Sequence, residues 1–109
     1  MVNIETVRKL ALSFDETEEQ DHWGRPSFRV KKKIFCTLWP KEKRAVLKLS
    51  VEDQSVFAEY NPDIFYPIPN KWGKLGWTFV ELKKVRKDMF KDALSLAWQS
   101  VAPKSLLKA

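Results

Sequence analysis

One cysteine, one histidine and three glycines among 109 residues leave this chain short of the parts that most catalytic and cofactor chemistry needs. Cys36 alone cannot form an internal disulfide, which suits a reducing compartment, and the expected location is the cytoplasm. One His and one Cys cannot complete an ordinary zinc site. Gly24, Gly73 and Gly76 are too few for a dinucleotide or Walker-type loop. His22 beside Asp21 makes a poor base–carboxylate pair, because adjacent strand residues point to opposite faces. No stretch of about 18 apolar residues is present to span a membrane. The amphipathic segment 1–12 carries Glu5 and no small-residue cleavage site, so it does not read as a signal peptide. These absences predict a non-enzymatic chain with no catalytic residue, no bound metal, no cofactor and no membrane partner.

What is present is a core and a charge. Residues 1–109 read as one domain, and 44% hydrophobic with 13% aromatic residues is enough to bury an interior. The net charge is +6. The acids crowd early, at Asp15, Glu16, Glu18, Glu19 and Asp21, and much of the base follows them, so the two signs should separate in space. Glu16, Glu18, Glu19 and Asp21 could approach a hard cation such as iron or calcium. They lack the glycine-centred loop of an EF-hand and read better as a solvated acidic edge.

Periodicity gives the elements. Asn3 caps a helix to about residue 12, with Ile4, Val7, Leu10 and Ala11 as its apolar stripe. Residues 13–19 form a loop or a poor edge strand. Three strands follow at 26–30, 33–39 and 44–49, joined by short basic turns as an antiparallel meander. The Lys31-Lys32 turn lacks the Gly or Asn that a tight primed turn favours. Ser50 starts a second helix that Asn61-Pro62 stops. Pro62, Pro67 and Pro69 confine the next stretch to an edge strand or extended loop. Residues 71–76 read as a turn, 77–82 as a strand, and 86–101 as the longest helix, with Phe90, Ala93, Leu94, Ala97, Trp98 and Val101 buried. Pro103 ends it and opens a last short turn of helix. The order α-β-β-β-α-β-β-α predicts an α+β two-layer sandwich, a mainly antiparallel sheet with helices on one face.

Strand parity divides that sheet into two faces. Phe28, Val30, Ile34, Cys36, Leu38, Ala45, Leu47, Leu49, Thr78, Val80 and Leu82 make an aliphatic floor for the helices. Ser27, Arg29, Lys33, Phe35, Thr37, Trp39, Arg44, Val46, Lys48, Trp77, Phe79 and Glu81 mix aromatics with cations on the other. A bulge would shift this parity by one residue. Phe35, Trp39, Trp77 and Phe79 form a large apolar patch if left bare. The proline-rich segment 64–72 could fold over it, a second subunit could cover it, or bases could stack on it while Arg29, Lys33, Arg44 and Lys48 hold phosphates.

The segment HWGRPSFRVKKKIFCTL at 22–38 resembles the motif of the MmcQ/YjbR-like family, where Trp-Gly-x-Pro-x-Phe-Arg-Val precedes Lys-Ile-Phe-Ala. VLKLS at 46–50, NKWGKLGWTFVEL at 70–82 and SLAWQSVAPKSL at 95–106 resemble its later strand, turn and C-terminal helix. Cys36 stands where the family commonly has alanine. The resemblance implies a small α+β fold similar to frataxin and secretion chaperones, and a "double wing" role in DNA binding. Lys31, Lys32 and Lys33 map onto one wing, Lys71 and Lys74 onto the other. With Arg25, Arg29, Arg44 and Lys48, these are the candidate nucleic-acid contacts. The expected partner is DNA, held with little sequence preference. The alternative is a protein-interaction or chaperone-like module, with a protein partner or a second copy seated on the aromatic face.

Overall fold

The computed structural model describes residues 2–107. The elements are α1 (Ile4–Leu12), β1 (Thr17–His22), β2 (Arg25–Val30), β3 (Lys33–Trp39), β4 (Arg44–Lys48), α2 (Val51–Tyr60), β5 (Phe65–Pro67), α3 (Lys71–Lys74), β6 (Trp77–Glu81), α4 (Lys87–Val101) and α5 (Lys104–Leu107). All six strands join one antiparallel sheet in the order β1-β2-β3-β4-β6-β5. The α+β class and the helices on one face are as the pattern predicts. The stretch expected as a loop or poor edge strand at 13–19 leads into the edge strand β1, and the expected 71–76 turn contains one turn of helix.

The caps start the helices where the sequence puts them. The Asn3 side chain accepts from Thr6 N–H at 2.8 Å, and Ser50 Oγ accepts from Asp53 N–H at 3.0 Å. Each side-chain oxygen takes up a backbone donor that the first helical turn leaves without a partner. The apolar stripes then bury Val7 and Ala11 of α1, Phe57 of α2, and Phe90, Ala93, Leu94, Ala97 and Trp98 of α4 against the sheet floor. The Trp98 indole N–H donates to Asp15 C=O at 3.1 Å, and Phe14 stacks on its ring, closing the core beneath β1.

β1 is TEEQDH, with hardly an apolar group, and both its half-buried ends and its exposed middle show how little it buries. It is a strand because β2 supplies a complete ladder from Thr17↔Val30 to His22↔Arg25. The turn closing that ladder is Trp23-Gly24, with φ of 56° and 81°, the left-handed pair that a two-residue hairpin of the right twist requires. Lys31-Lys32 closes the β2–β3 hairpin in the same way, at φ of 49° and 70°. Two lysines thus occupy positions where Asn-Gly is the low-strain choice.

A bulge corrects the predicted parity. Phe28 pairs with Cys36, but the next residue, Arg29, pairs with Ile34, leaving Phe35 as the extra residue on β3. Phe35 is therefore fully buried on the helix side, edge-on to Phe14, instead of on the open aromatic face. Ile34 makes the opposite exchange, leaving the sheet floor to sit half-buried on the open face.

The proline-rich segment borders the open face, setting Tyr66 against Phe79 and Ile68 and Trp72 beside the groove, and does not close it over. Its β5 pairs outside β6, so it lengthens the sheet and turns Phe65 inward against Phe57.

Candidate nucleic-acid interface

The open face carries a groove of about 710 Å³. Its floor is Thr37 of β3 and Val46 of β4, both buried. Half-buried Ile34, Trp39, Trp77 and Ile68 stand around that floor. Lys32, Lys33 and Lys48 lie at the end of the sheet where β2 turns into β3 and β4 ends beside the start of β6. Val101, at the end of α4, belongs to the same end, since Ser100 Oγ donates to Lys48 C=O at 2.7 Å. Trp23, His22 and Arg25 close the groove at the other end, and Trp72 of α3 flanks it.

The second basic turn is fixed by contacts that leave its glycines no room for a side chain. Asn70 Oδ1 accepts from Trp72 N–H at 2.8 Å and starts α3. A Cβ on Gly73 would sit 2.0 Å from Ile68 O, and one on Gly76 would sit 1.9 Å from Leu49 O. Gly76 also has a φ of +106°, which L side chains rarely adopt. Gln54 of α2 is buried and its amide donates to Gly73 O (2.9 Å), Thr78 Oγ1 (3.1 Å) and Trp77 O (3.2 Å). One side chain thus ties α2 to α3 and β6 and holds Lys71 and Lys74 in place. Both lysines are exposed beside the groove's Trp72–Ile68 side, and they line a shallower neighbouring depression.

The structure sorts the nine candidate cations. Lys32, Lys33, Lys71 and Lys74 are exposed and have no ion-pair partner among the described residues. Lys48 lines the groove with its Nζ 3.3 Å from Leu49 O, and partial burial lowers its pKa from the usual lysine value. Arg25 places its guanidinium 4.0 Å from the centroid of Trp39, a stacked cation on the groove wall.

Three are otherwise engaged. Lys31 pairs with Glu16 at 3.0 Å. Arg29 donates to Ser27 Oγ at 3.3 Å and stands directly opposite Glu18. Arg44 donates to Glu81 at 3.0 Å and lies 5.1 Å from the Phe79 centroid, at the end of the sheet remote from the lysine turns. Tyr66 also donates to Glu81, and burial together with that bond raises the Tyr66 pKa.

Of the aromatic candidates, Trp39 and Trp77 line the groove. Phe79 lies beneath Trp39 (5.0 Å, edge-on), Tyr66 (5.5 Å) and Arg44, and is buried. Phe35 lies across the sheet in the core. Two rings escaped the sequence reading: Trp23, 89% exposed, and Trp72, 50% exposed. The available signal for Trp23 was its place beside Gly24 between two strands, since a turn tip cannot bury a ring.

Cys36 is fully buried and burial raises its thiol pKa, so it is an inert core residue. Among the described residues no group of three His, Cys, Asp or Glu could hold a metal ion. The early acids are spread along β1 and its approach: Glu19 binds Arg8 of α1 through two bonds, Glu16 binds Lys31, and Asp21 accepts from Gly24 N–H. No helix of the described residues is long and apolar enough to cross a membrane.

A six-stranded antiparallel sheet, floored by helices on one side and grooved with aromatics and cations on the other, defines a small two-layer α+β protein with a surface groove. The chain belongs to the YjbR family, whose pattern it matches over residues 12–100. It is also similar to a Deinococcus radiodurans protein of known crystal structure, assigned to the domain family DUF419. The TM-score is 0.82 at 18% identity, covering 96% of this chain and 82% of that one. At that identity the likeness is one of fold. No curated protein matches the chain in sequence.

Proposed function

We propose that the chain is a non-enzymatic DNA-binding protein that grips the phosphate backbone through its two basic turns. The observation that carries this reading is their placement: Lys32 and Lys33 on one side, Lys71 and Lys74 on the other, at one end of the sheet, with Lys48 between them. Backbone contacts of this kind read charge and carry little sequence information. Asp15, Glu16, Glu18, Glu19 and Asp21 lie on or just before the edge strand β1, where Arg8 engages Glu19 and Lys31 engages Glu16.

Affinity should lie near the micromolar range at low salt, and log K should fall with log salt at a slope of roughly −0.7 to −0.9 per phosphate contact. Fluorescence anisotropy with labelled DNA measures both. Lys32→Glu with Lys33→Glu should weaken binding about tenfold or more. Absence of binding at low salt to single-stranded and duplex DNA alike contradicts the proposal.

A protein partner on the same face is the second reading, favoured by exposed Trp23 and Trp72. It loses Phe35 as a contact, and a monomer in sedimentation with no captured peptide counts against it.

A further inference from the structure

We infer that the groove takes an unpaired DNA strand in preference to a duplex, with Trp23 and Trp72 stacking on its bases. The inference rests on the proposed DNA binding and names the form of DNA that the groove selects.

Trp23 is the observation that neither fold nor stability explains. It holds the first position of a two-residue turn with a φ of 56°, where a side chain other than Gly, Asn or Asp is disfavoured. It is also 89% exposed, so the largest of the side chains contributes almost no burial in return. A residue that is both backbone-strained and apolar in water marks a surface kept for a ligand. Trp72 is the second such ring, half exposed, with the Lys71 ammonium 5.8 Å from its centroid. Both rings line the same groove.

Chemistry selects the occupant. Exposed indoles and lysines on one groove offer rings to bases and cations to phosphates, the combination by which unpaired strands are held without sequence preference. In a duplex, each base already has its two faces covered by neighbours, so a rod-shaped duplex engages the lysine turns and leaves the rings idle. The groove volume of about 710 Å³ suits a small ligand or a short run of splayed nucleotides. The guanidinium of Arg25, stacked 4.0 Å over Trp39, adds a further flat group at the Trp23 end of the groove.

The test is anisotropy with labelled oligo(dT) of about 12 nucleotides, within the span of known single-strand sites, and a mixed-sequence duplex of equal length. The intact chain is compared with Trp23→Ala and Trp23→Phe, and circular dichroism checks each fold. The expected result is single strand tighter than duplex by about tenfold. Trp23→Ala should lose about five- to a hundredfold on the single strand, the worth of one stacked base. Duplex affinity and the salt slope should hold, and Trp23→Phe should keep most of the binding.

Duplex binding as tight as single strand, or Trp23→Ala equal to the parent on oligo(dT), overturns the inference and leaves the backbone-gripping reading standing. No binding to either DNA overturns both. A parent dimer that Trp23→Ala converts to monomer in sedimentation also overturns the inference, because it assigns the ring to self-association.

Discussion

Lys48 shows what one residue does when a cation lines an apolar groove. Partial burial among Trp77, Val46 and Leu49 disfavours its charged form and lowers its pKa. Between that lowered value and the usual lysine value of about 10.4, the unfolded chain binds more protons than the folded one. Stability contributed by Lys48 therefore rises with pH across that window, while its use as a phosphate contact falls. The two signs are opposite, which makes them separable. DNA affinity should decline as pH rises toward the usual lysine value of about 10.4. Lys48→Arg, charged throughout, should remove most of that decline. Parallel pH profiles for the two proteins would show that Lys48 is not a contact. Phe35 gives the lesson about legibility at this scale. Alternation placed it with Trp39 and Trp77, and a single extra residue opposite Phe28 and Arg29 moved it through the sheet. Nothing in IFCTLW marks that bulge, because its cause lies in the pairing with β2.

At the scale of elements, capped helices and alternating strands were legible because their signals are local. Asn3, Ser50 and the stripe of α4 state their roles within one or two turns of chain. β1 was legible only as a loop or a poor edge strand, because TEEQDH has no apolar alternation and owes its conformation to β2. The single turn of α3 was hidden for a different reason. Its Asn70 cap is local, but the close approaches at Gly73 and Gly76 and the reach of Gln54 come from distant segments. The β2–β3 hairpin carries the prediction at this scale. Left-handed backbone costs a non-glycine residue roughly 1–2 kcal/mol, and Lys31 and Lys32 both adopt it. Lys31→Asn with Lys32→Gly should raise stability by about 1–2 kcal/mol in denaturant unfolding and weaken DNA binding in the same protein. Unchanged or lower stability would show that the turn is not strained. Unchanged binding would remove this tip from the interface.

Across the whole molecule, the two faces of one sheet divide the work. The helix side holds the aliphatic core, including Cys36 and Phe35. The open side keeps a groove because β5 extends the sheet rather than crossing it. The class of fold was legible, since it follows from element order and patterning. Which cations would remain available was not, because ion pairs join residues far apart in sequence: Arg44 to Glu81, Lys31 to Glu16 and Arg8 to Glu19. Four lysines and Lys48 remain around one groove at one end. The most direct measurement of that arrangement is a heteronuclear NMR titration of the labelled chain with DNA at low salt. Shifts concentrated at Lys32, Lys33, Lys48, Lys71 and Lys74, together with the indole signals of Trp72 and Trp77, are the predicted result. Shifts confined to α1 and the acidic β1 edge, or no shifts at all, would contradict it.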